Sequence, residues 1–322
     1  MKQTIKLSML LAASLWAEAT WAASPAPGSP EELIDSSPLL KLLRKPTVGD
    51  AAVSTLAAAV PQAAPASKFA STDFPGASFS EATGSGTNEF VGIAQFGQAS
   101  QLFSFKFKGG VYSTFSVPGS TSTIAFSINS AGTIVGAFGS GGLLHGFVNS
   151  GETFTTVDVP GSRQTIVTDS NTAGDICGIW IDANNATHGF INRSGTFTSL
   201  DFPDGSDTQA AGINSAGIVV GVYTDANNVQ RGFTFNEGIF TTLDAPGAAG
   251  TTAFGVNDAG TIVGSFRDAA GTDHGFLLSR GNFSQIDVVG ARSTRLTHIP
   301  NKGRFAGFYV DSLGETHGFT GR

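Results

Sequence analysis

The tetrapeptide Asp-Phe-Pro-Gly at residue 73 recurs as Ser-Val-Pro-Gly at 116, Asp-Val-Pro-Gly at 158, Asp-Phe-Pro-Asp at 201, Asp-Ala-Pro-Gly at 244 and Asp-Val-Val-Gly at 287. Successive starts are 43, 42, 43, 43 and 43 residues apart. A chain that repeats at so regular an interval builds one supersecondary unit per repeat and buries each unit against its neighbours. This spacing constrains the fold more than any other feature of the sequence.

Each unit is punctuated alike. An alternating stretch such as Thr-Thr-Ala-Phe-Gly-Val-Asn ends in an Asn-x-x-Gly turn, found at 129, 171, 214 and 257, where the fourth-position glycine suits a positive φ. A second stretch follows, then a short turn, a third stretch opening on His-Gly-Phe, and a fourth that leads through the Pro-Gly corner into the next unit. Helical periodicity is absent from the units, so four short strands account for each. The predicted fold is all-β, a six-bladed β-propeller of 43-residue, four-stranded blades.

An open β-solenoid would need atypical capping units, and the ends of the chain argue against it. The sixth unit stops at Arg322 without a fourth strand, whereas Lys-Phe-Ala-Ser-Thr-Asp-Phe-Pro-Gly at 68–76 aligns with the end of the third unit, Thr-Phe-Thr-Ser-Leu-Asp-Phe-Pro-Asp at 196–204. A strand over residues 69–74 is therefore expected to complete the last blade, which also removes two open edges. The first unit is the least regular, with Leu-Phe-Ser-Phe at 102 in place of the His-Gly-Phe segment.

Four of the five histidines, His145, His188, His274 and His317, open third strands, and Arg231 takes the place in one unit. Thr123, Thr165, Thr208, Thr251 and Thr294 open first strands; Asp73, Asp158, Asp201, Asp244 and Asp287 close fourth strands, with Ser116 the exception. In an up-and-down blade these positions share one end, so Asp, His and Thr should form one layer. The trio resembles a hydrolytic triad, but a nucleophile needs one unique site with an oxyanion hole. Recurrence in blade after blade suits a structural network in which a carboxylate and a hydroxyl satisfy the imidazole. Arg231 can also donate to an aspartate, and it would spoil a metal ring. No catalytic residue, metal site or cofactor is expected.

Ahead of the repeats, Lys2 and Lys6 precede an apolar run from Leu7 to Trp16 and small-residue cleavage sites at Ala19 and Ala22. Residues 1–22 read as a secretory signal peptide, the run being too short to span a bilayer. Residues 23–67, rich in Ala and Pro, read as a linker with one or two short helices, starting at Ser29-Pro30; the propeller occupies 68–322. The protein is expected to be secreted or periplasmic, without a membrane span in the mature chain. The single cysteine, Cys177, stands where other units carry valine and is expected to be a buried hydrophobe. A net charge of −7 with only 13% charged residues excludes the basic patches that nucleic acid or anionic membrane would select.

The units, with Thr-His-Gly-Phe after an Asp-Ala turn, Gly-x-x-Val-Gly before it and Asp-x-Pro-Gly-Ala after it, resemble the extracellular HAF-repeat family, named for a His-Ala-Phe core. The resemblance covers about residues 69–322, with glycine in place of the central alanine. It implies an exported bacterial repeat protein and implies little about activity.

Function should reside in what the repeats do not share. The loops after strands two and four carry Arg163, Gln164, Asp204, Asp207, Arg292 and Arg295 at the corners, and Asp182, Asn184, Asn185, Asp225, Asn227 and Asn228 at the second-strand turns. Amides, carboxylates and guanidinium groups together suit hydroxyl-rich ligands. The expected function is a monomeric, non-catalytic binding propeller whose partner is a glycan or an extracellular protein. The alternatives are a polysaccharide hydrolase or lyase working through Asp204 and Asp207, and a structural surface-layer module. His298, outside the recurring tripeptide, reads as a packed or turn-facing residue.

Overall fold

The computed structural model describes residues 69–96, 102–151, 153–302 and 304–322. The signal peptide and linker expected from the sequence lie outside the described residues. Six four-stranded antiparallel sheets follow one another along the chain, over residues 79–115, 122–157, 164–200, 206–243, 250–286 and 293–321. We number them as blades one to six. Within each of the first five, spatial order follows chain order.

Burial orients the blades. The first strand of blade three, Gln164–Ser170, is buried at every position, whereas the fourth strand of blade two, Thr153–Val157, is buried at none. First strands therefore stand at the axis and fourth strands at the rim.

Blade six is completed by the N-terminal segment. Ala70 and Ser71 pair with Thr320 and Phe319, the Thr72 amide donates to the Gly318 carbonyl at 3.0 Å, and Asp73 accepts from the Gly318 amide at 3.0 Å. The ladder proper is two residues long rather than the six expected. Beyond Ser71 the closure passes from the ladder to a single amide and the Asp73 side chain.

The shared glycines and phenylalanines explain each other. Phe105, Phe147, Phe190, Phe233, Phe276 and Phe319, one per blade, are the largest side chains sealed from solvent. Each lies against a second-strand glycine, which ends a Gly-x-x-Val-Gly pattern in blades two, four and five. A Cβ on Gly178 would meet the Ile166 carbonyl at 2.1 Å and the Phe190 ring at 2.7 Å. Glycine is required there by close approach, not by φ. Cys177 packs among the apolar residues of blades three and four, fully buried, and burial pushes its thiol pKa up.

Every first strand contains a β-bulge near its end, as between Val167 and Asp169, Ala125 and Ser127, and Leu296 and His298. Bulges re-aim the following side chain. Thr83, Thr168 and Thr297, the extra residues of three bulges, each donate a hydroxyl hydrogen bond of 2.9 Å to a carbonyl of the next blade, Ala125, Ala210 and Ala82 respectively.

Candidate binding sites

The recurrent histidines are held by carboxylates. His188 Nδ1 lies 2.6 Å from Asp201, its Nε2 lies 3.8 Å from Asp182, and its ring stacks on Trp180 with centroids 4.5 Å apart. His274 lies 2.9 Å from Asp287 and 3.4 Å from Asp268 over Phe266. His317 lies 3.1 Å from Asp73 and 3.6 Å from Asp311 over Tyr309. His145 keeps a single carboxylate, Asp158 at 2.9 Å, because its preceding turn is a short Gly141-Gly142 pair. Arg231 reproduces the bracket, with Nε 3.0 Å from Asp225 and Nη1 2.8 Å from Asp244. At His274, burial alone would lower the pKa; the hydrogen bonds and charges of Asp287 and Asp268 outweigh it and raise it.

The threonines do something else. Thr165 Oγ1 accepts from the Val159 amide at 3.0 Å, and Thr123, Thr208, Thr251 and Thr294 accept in the same way from Val117, Phe202, Ala245 and Val288. Each locks the corner that precedes it. On the side of the second ring nitrogen stands the aspartate of the second-strand turn where one is present, hydrogen-bonded at 3.4 Å in His274 and an ion-pair neighbour at 3.6 and 3.8 Å in His317 and His188, not the threonine hydroxyl that the sequence led us to expect.

Several residues expected to contact ligand are engaged within the protein. Arg163 donates to Asn185, and Arg292 donates to the Ser312 carbonyl. Asp182 accepts from the Asn184 and Ala186 amides, both at 2.8 Å, and Asp225 from the Asn227 and Val229 amides, both at 2.9 Å, which closes these turns. The Asn228 amide donates to the Asp225 carbonyl. Asp204 and Asp207 have φ of 60° and 50° at the third-to-fourth-blade corner.

Gln164 and Arg295 are corrected by the structure: both are buried, at 2% and 3% exposure. They are the neighbours of Thr165 and Thr294 in first strands that are covered on both faces, so residue and neighbour are buried alike. Gln164 accepts from the Leu144 amide at 3.1 Å. Arg295 ion-pairs with Asp273, itself 3.0 Å from Arg267. Beside Arg295, on blade one, stands Glu81, whose burial raises its pKa to about 8 against the pull of the Arg295 charge.

One large pocket lies on the face expected to bind. Its volume is about 620 Å³ and it opens between blades five and six, lined by Gln285, Asp287, Arg292 and His274 on its polar side and by Phe69 and Val289 among its apolar residues. Gln285 donates to Asp287 at 2.6 Å, and Asp287 Oδ1 has no hydrogen-bond partner. Val289 is 94% exposed and stands where five corners carry proline; Leu313, next to the Ser312 carbonyl that Arg292 reaches, is 80% exposed. Sequence reasoning missed Gln285 and Val289. Their signal was available as departures from the serine or threonine and the proline of the other units.

A second cavity lies at the axis on the opposite face, among the Asn-x-x-Gly turns. These turns are stitched in sequence: Asn129 donates to the Asn171 carbonyl at 3.0 Å, Asn171 to Asn214 at 3.1 Å, and Asn214 to Asn257 at 3.2 Å. Beneath them the bulges bring together Ser127, Asp169 and His298, with Ser85 of blade one. Asp169 accepts from Ser127 Oγ at 2.6 Å and from the Ile213 amide at 2.9 Å, and His298 Nε2 lies 3.7 Å from it. Ser85 places both its amide and its Oγ 3.3 Å from His298 Nδ1. An amide only donates, so Nδ1 is the acceptor and the ring hydrogen is on Nε2. The lone pair that a serine nucleophile would need is already met by the Ser85 amide. The group therefore has the composition of a triad without its geometry.

Solved structures similar to this chain share little sequence with it. A streptogramin B lyase is 12% identical, with 80% of this chain and 98% of that chain covered and a TM-score of 0.46. A mutant lectin of Aleuria aurantia in complex with Fucα1-6GlcNAc is 12% identical over 79% and 91%, with a TM-score of 0.46. The β-propeller domain of the trilobed protease from Pyrococcus furiosus is 7% identical over 76% and 95%, at 0.47. No family model matches the chain, and no curated protein matches it. All three TM-scores lie below 0.5, and the description of this chain rests on its own strands. Among the described residues no helix is long and apolar enough to cross a membrane.

Proposed function

We propose that the protein is a binding propeller that holds a hydroxyl-rich ligand, a saccharide, in the pocket between blades five and six. The observation that carries this reading is the concentration of non-repeated residues there. Gln285, Arg292 and Val289 line a volume of about 620 Å³, within the few-hundred to thousand Å³ typical of small-molecule sites. Amide, carboxylate and guanidinium groups can each make directional bonds to hydroxyls, and the apolar wall can cover a ring face. The recurring histidines are each held at Nδ1 by an aspartate that closes a fourth strand and serve as scaffold. Export, and membership of the HAF-repeat family, complete the proposal as an extracellular or periplasmic receptor.

The test is a glycan array followed by calorimetry and a hydrolysis assay on the same saccharides. Binding that is lost in Gln285→Ala and Arg292→Ala and retained in His188→Ala, with saccharide recovered intact, supports it. Turnover, or binding indifferent to Gln285 and Arg292, rejects it.

A further inference from the structure

The end of the first strand shows what the fold requires at the axis. After the bulge the six blades carry Gly84, Ser127, Asp169, Gly212, Gly255 and His298. At the glycines the next blade's backbone approaches closely, a Cβ on Gly84 or Gly212 meeting it at 2.6 Å and 2.8 Å, whereas Asp169 and His298 extend into the axial cavity from blades three and six, which face each other across a six-membered ring. Asp169 is 3% exposed and His298 9%. Burying a carboxylate and an imidazole is costly unless they are hydrogen-bonded; Ser127 and the Ile213 amide satisfy part of Asp169, and the Ser85 amide meets Nδ1 of His298.

The two side chains leave a matched pair of bonding capacities. His298 carries its hydrogen on Nε2, and Asp169 Oδ1 is 3.7 Å from it, beyond hydrogen-bond reach. Both residues line the axial cavity, whose volume is about 40 Å³. That is room for about three waters. A hydroxyl placed beside the pair can accept from Nε2–H and donate to Oδ1 at ordinary lengths. A metal ion cannot use Nε2 while it is protonated, and among the described residues no lysine or arginine lines the cavity to receive an anion. The rim above adds the hydroxyls of Ser130, Thr172 and Ser215 and the carboxylate of Asp258.

We propose that this axial cavity is a second binding site, independent of the pocket between blades five and six, that takes a hydroxyl-bearing terminus of a neutral polyol or saccharide between His298 and Asp169. One hydroxyl enters the cavity, and the remainder of the ligand stands above it among the Asn-x-x-Gly turns.

The experiment is a titration of the ¹⁵N-labelled full chain with myo-inositol and with glycerol, following the imidazole nitrogens by NMR and assigning His298 with His298→Gln. The free protein should show Nε2 protonated and Nδ1 bare, and at least one polyol should shift Nε2 saturably. Asp169→Asn should weaken that response about tenfold; if that variant fails to fold, Ser127→Ala should weaken it in the same direction. Asp287→Asn, which alters only the other pocket, should leave it unchanged, so the two sites fail separately. A protonated Nδ1, an unsaturable response to both polyols as expected if water alone fills the cavity, or a response indifferent to both Asp169→Asn and Ser127→Ala overturns the proposal.

Discussion

His317 Nδ1 lies 3.1 Å from Oδ2 of Asp73, a residue 244 positions earlier in the chain. The pair reproduces in blade six the histidine–aspartate contact that other blades make within one hairpin, so the N-terminal segment supplies a side chain as well as a strand. Asp73→Ala should lower stability by about 1–2 kcal/mol, measured by urea denaturation. Removal of residues 1–75 should expose the edge of Thr316–Gly321 and produce concentration-dependent light scattering. A truncated protein as soluble and stable as the full chain would show that the ring does not need this clasp.

The brackets are not equal, and their loss should not be equal either. His274 has two carboxylates within 3.4 Å, whereas His145 has one. His274→Ala is expected to lower stability more than His145→Ala, each by an amount on the order of 1 kcal/mol. Calorimetry on the two variants checks the order. Equal losses would mean that ring stacking, not the carboxylates, sets the contribution.

Two groups make stability depend on pH in the same direction. The folded pKa of His274 is raised above 6.5, so its contribution is complete below 6.5 and is lost as pH rises through the folded value. Glu81 is raised from 4.5 to about 8, so the folded state, which keeps the acid neutral, loses stability relative to the unfolded chain as pH rises between those values. Glu81→Gln should leave stability unchanged near pH 4 and raise it by about 1 kcal/mol or more at pH 8. A melting temperature of Glu81→Gln that tracks the parent across this range would place the Glu81 proton elsewhere.

Asp204 occupies, with φ of 60°, the corner position where the other five blades carry glycine at φ between 73° and 82°. A non-glycine residue is strained there. Asp204→Gly should stabilise the protein by up to about 1 kcal/mol, read from the midpoint of denaturant unfolding. A loss of stability would mean that the Asp204 carboxylate makes a compensating contact.

The ring was legible because its determinants are periodic. The corner tetrapeptide, the Asn-x-x-Gly turn and the His-Gly-Phe segment recur at fixed spacing, and each corresponds to one physical requirement: a locked corner, a stitched turn, and a phenylalanine seated on a glycine. The sites were less legible because they depend on departures from the period. Gln164 and Arg295 were misplaced because the first strands at the axis are covered on both faces, so a polar residue there is not a sign of exposure. Asp169 and His298 could not be paired from sequence, since a bulge in each first strand resets which side chains face the axis and 129 residues separate the two. Thr165 and its equivalents were assigned to the right end of the blade but to the wrong acceptor task.

The seam in blade six also decides how the molecule yields to force. Ala70 opposes Thr320 in an antiparallel pair, so tension applied between residues 69 and 322 peels the two backbones apart one rung at a time instead of shearing them together. The toroid should therefore open at low load from its own ends, while grips placed within any other blade must first break a full-length hairpin.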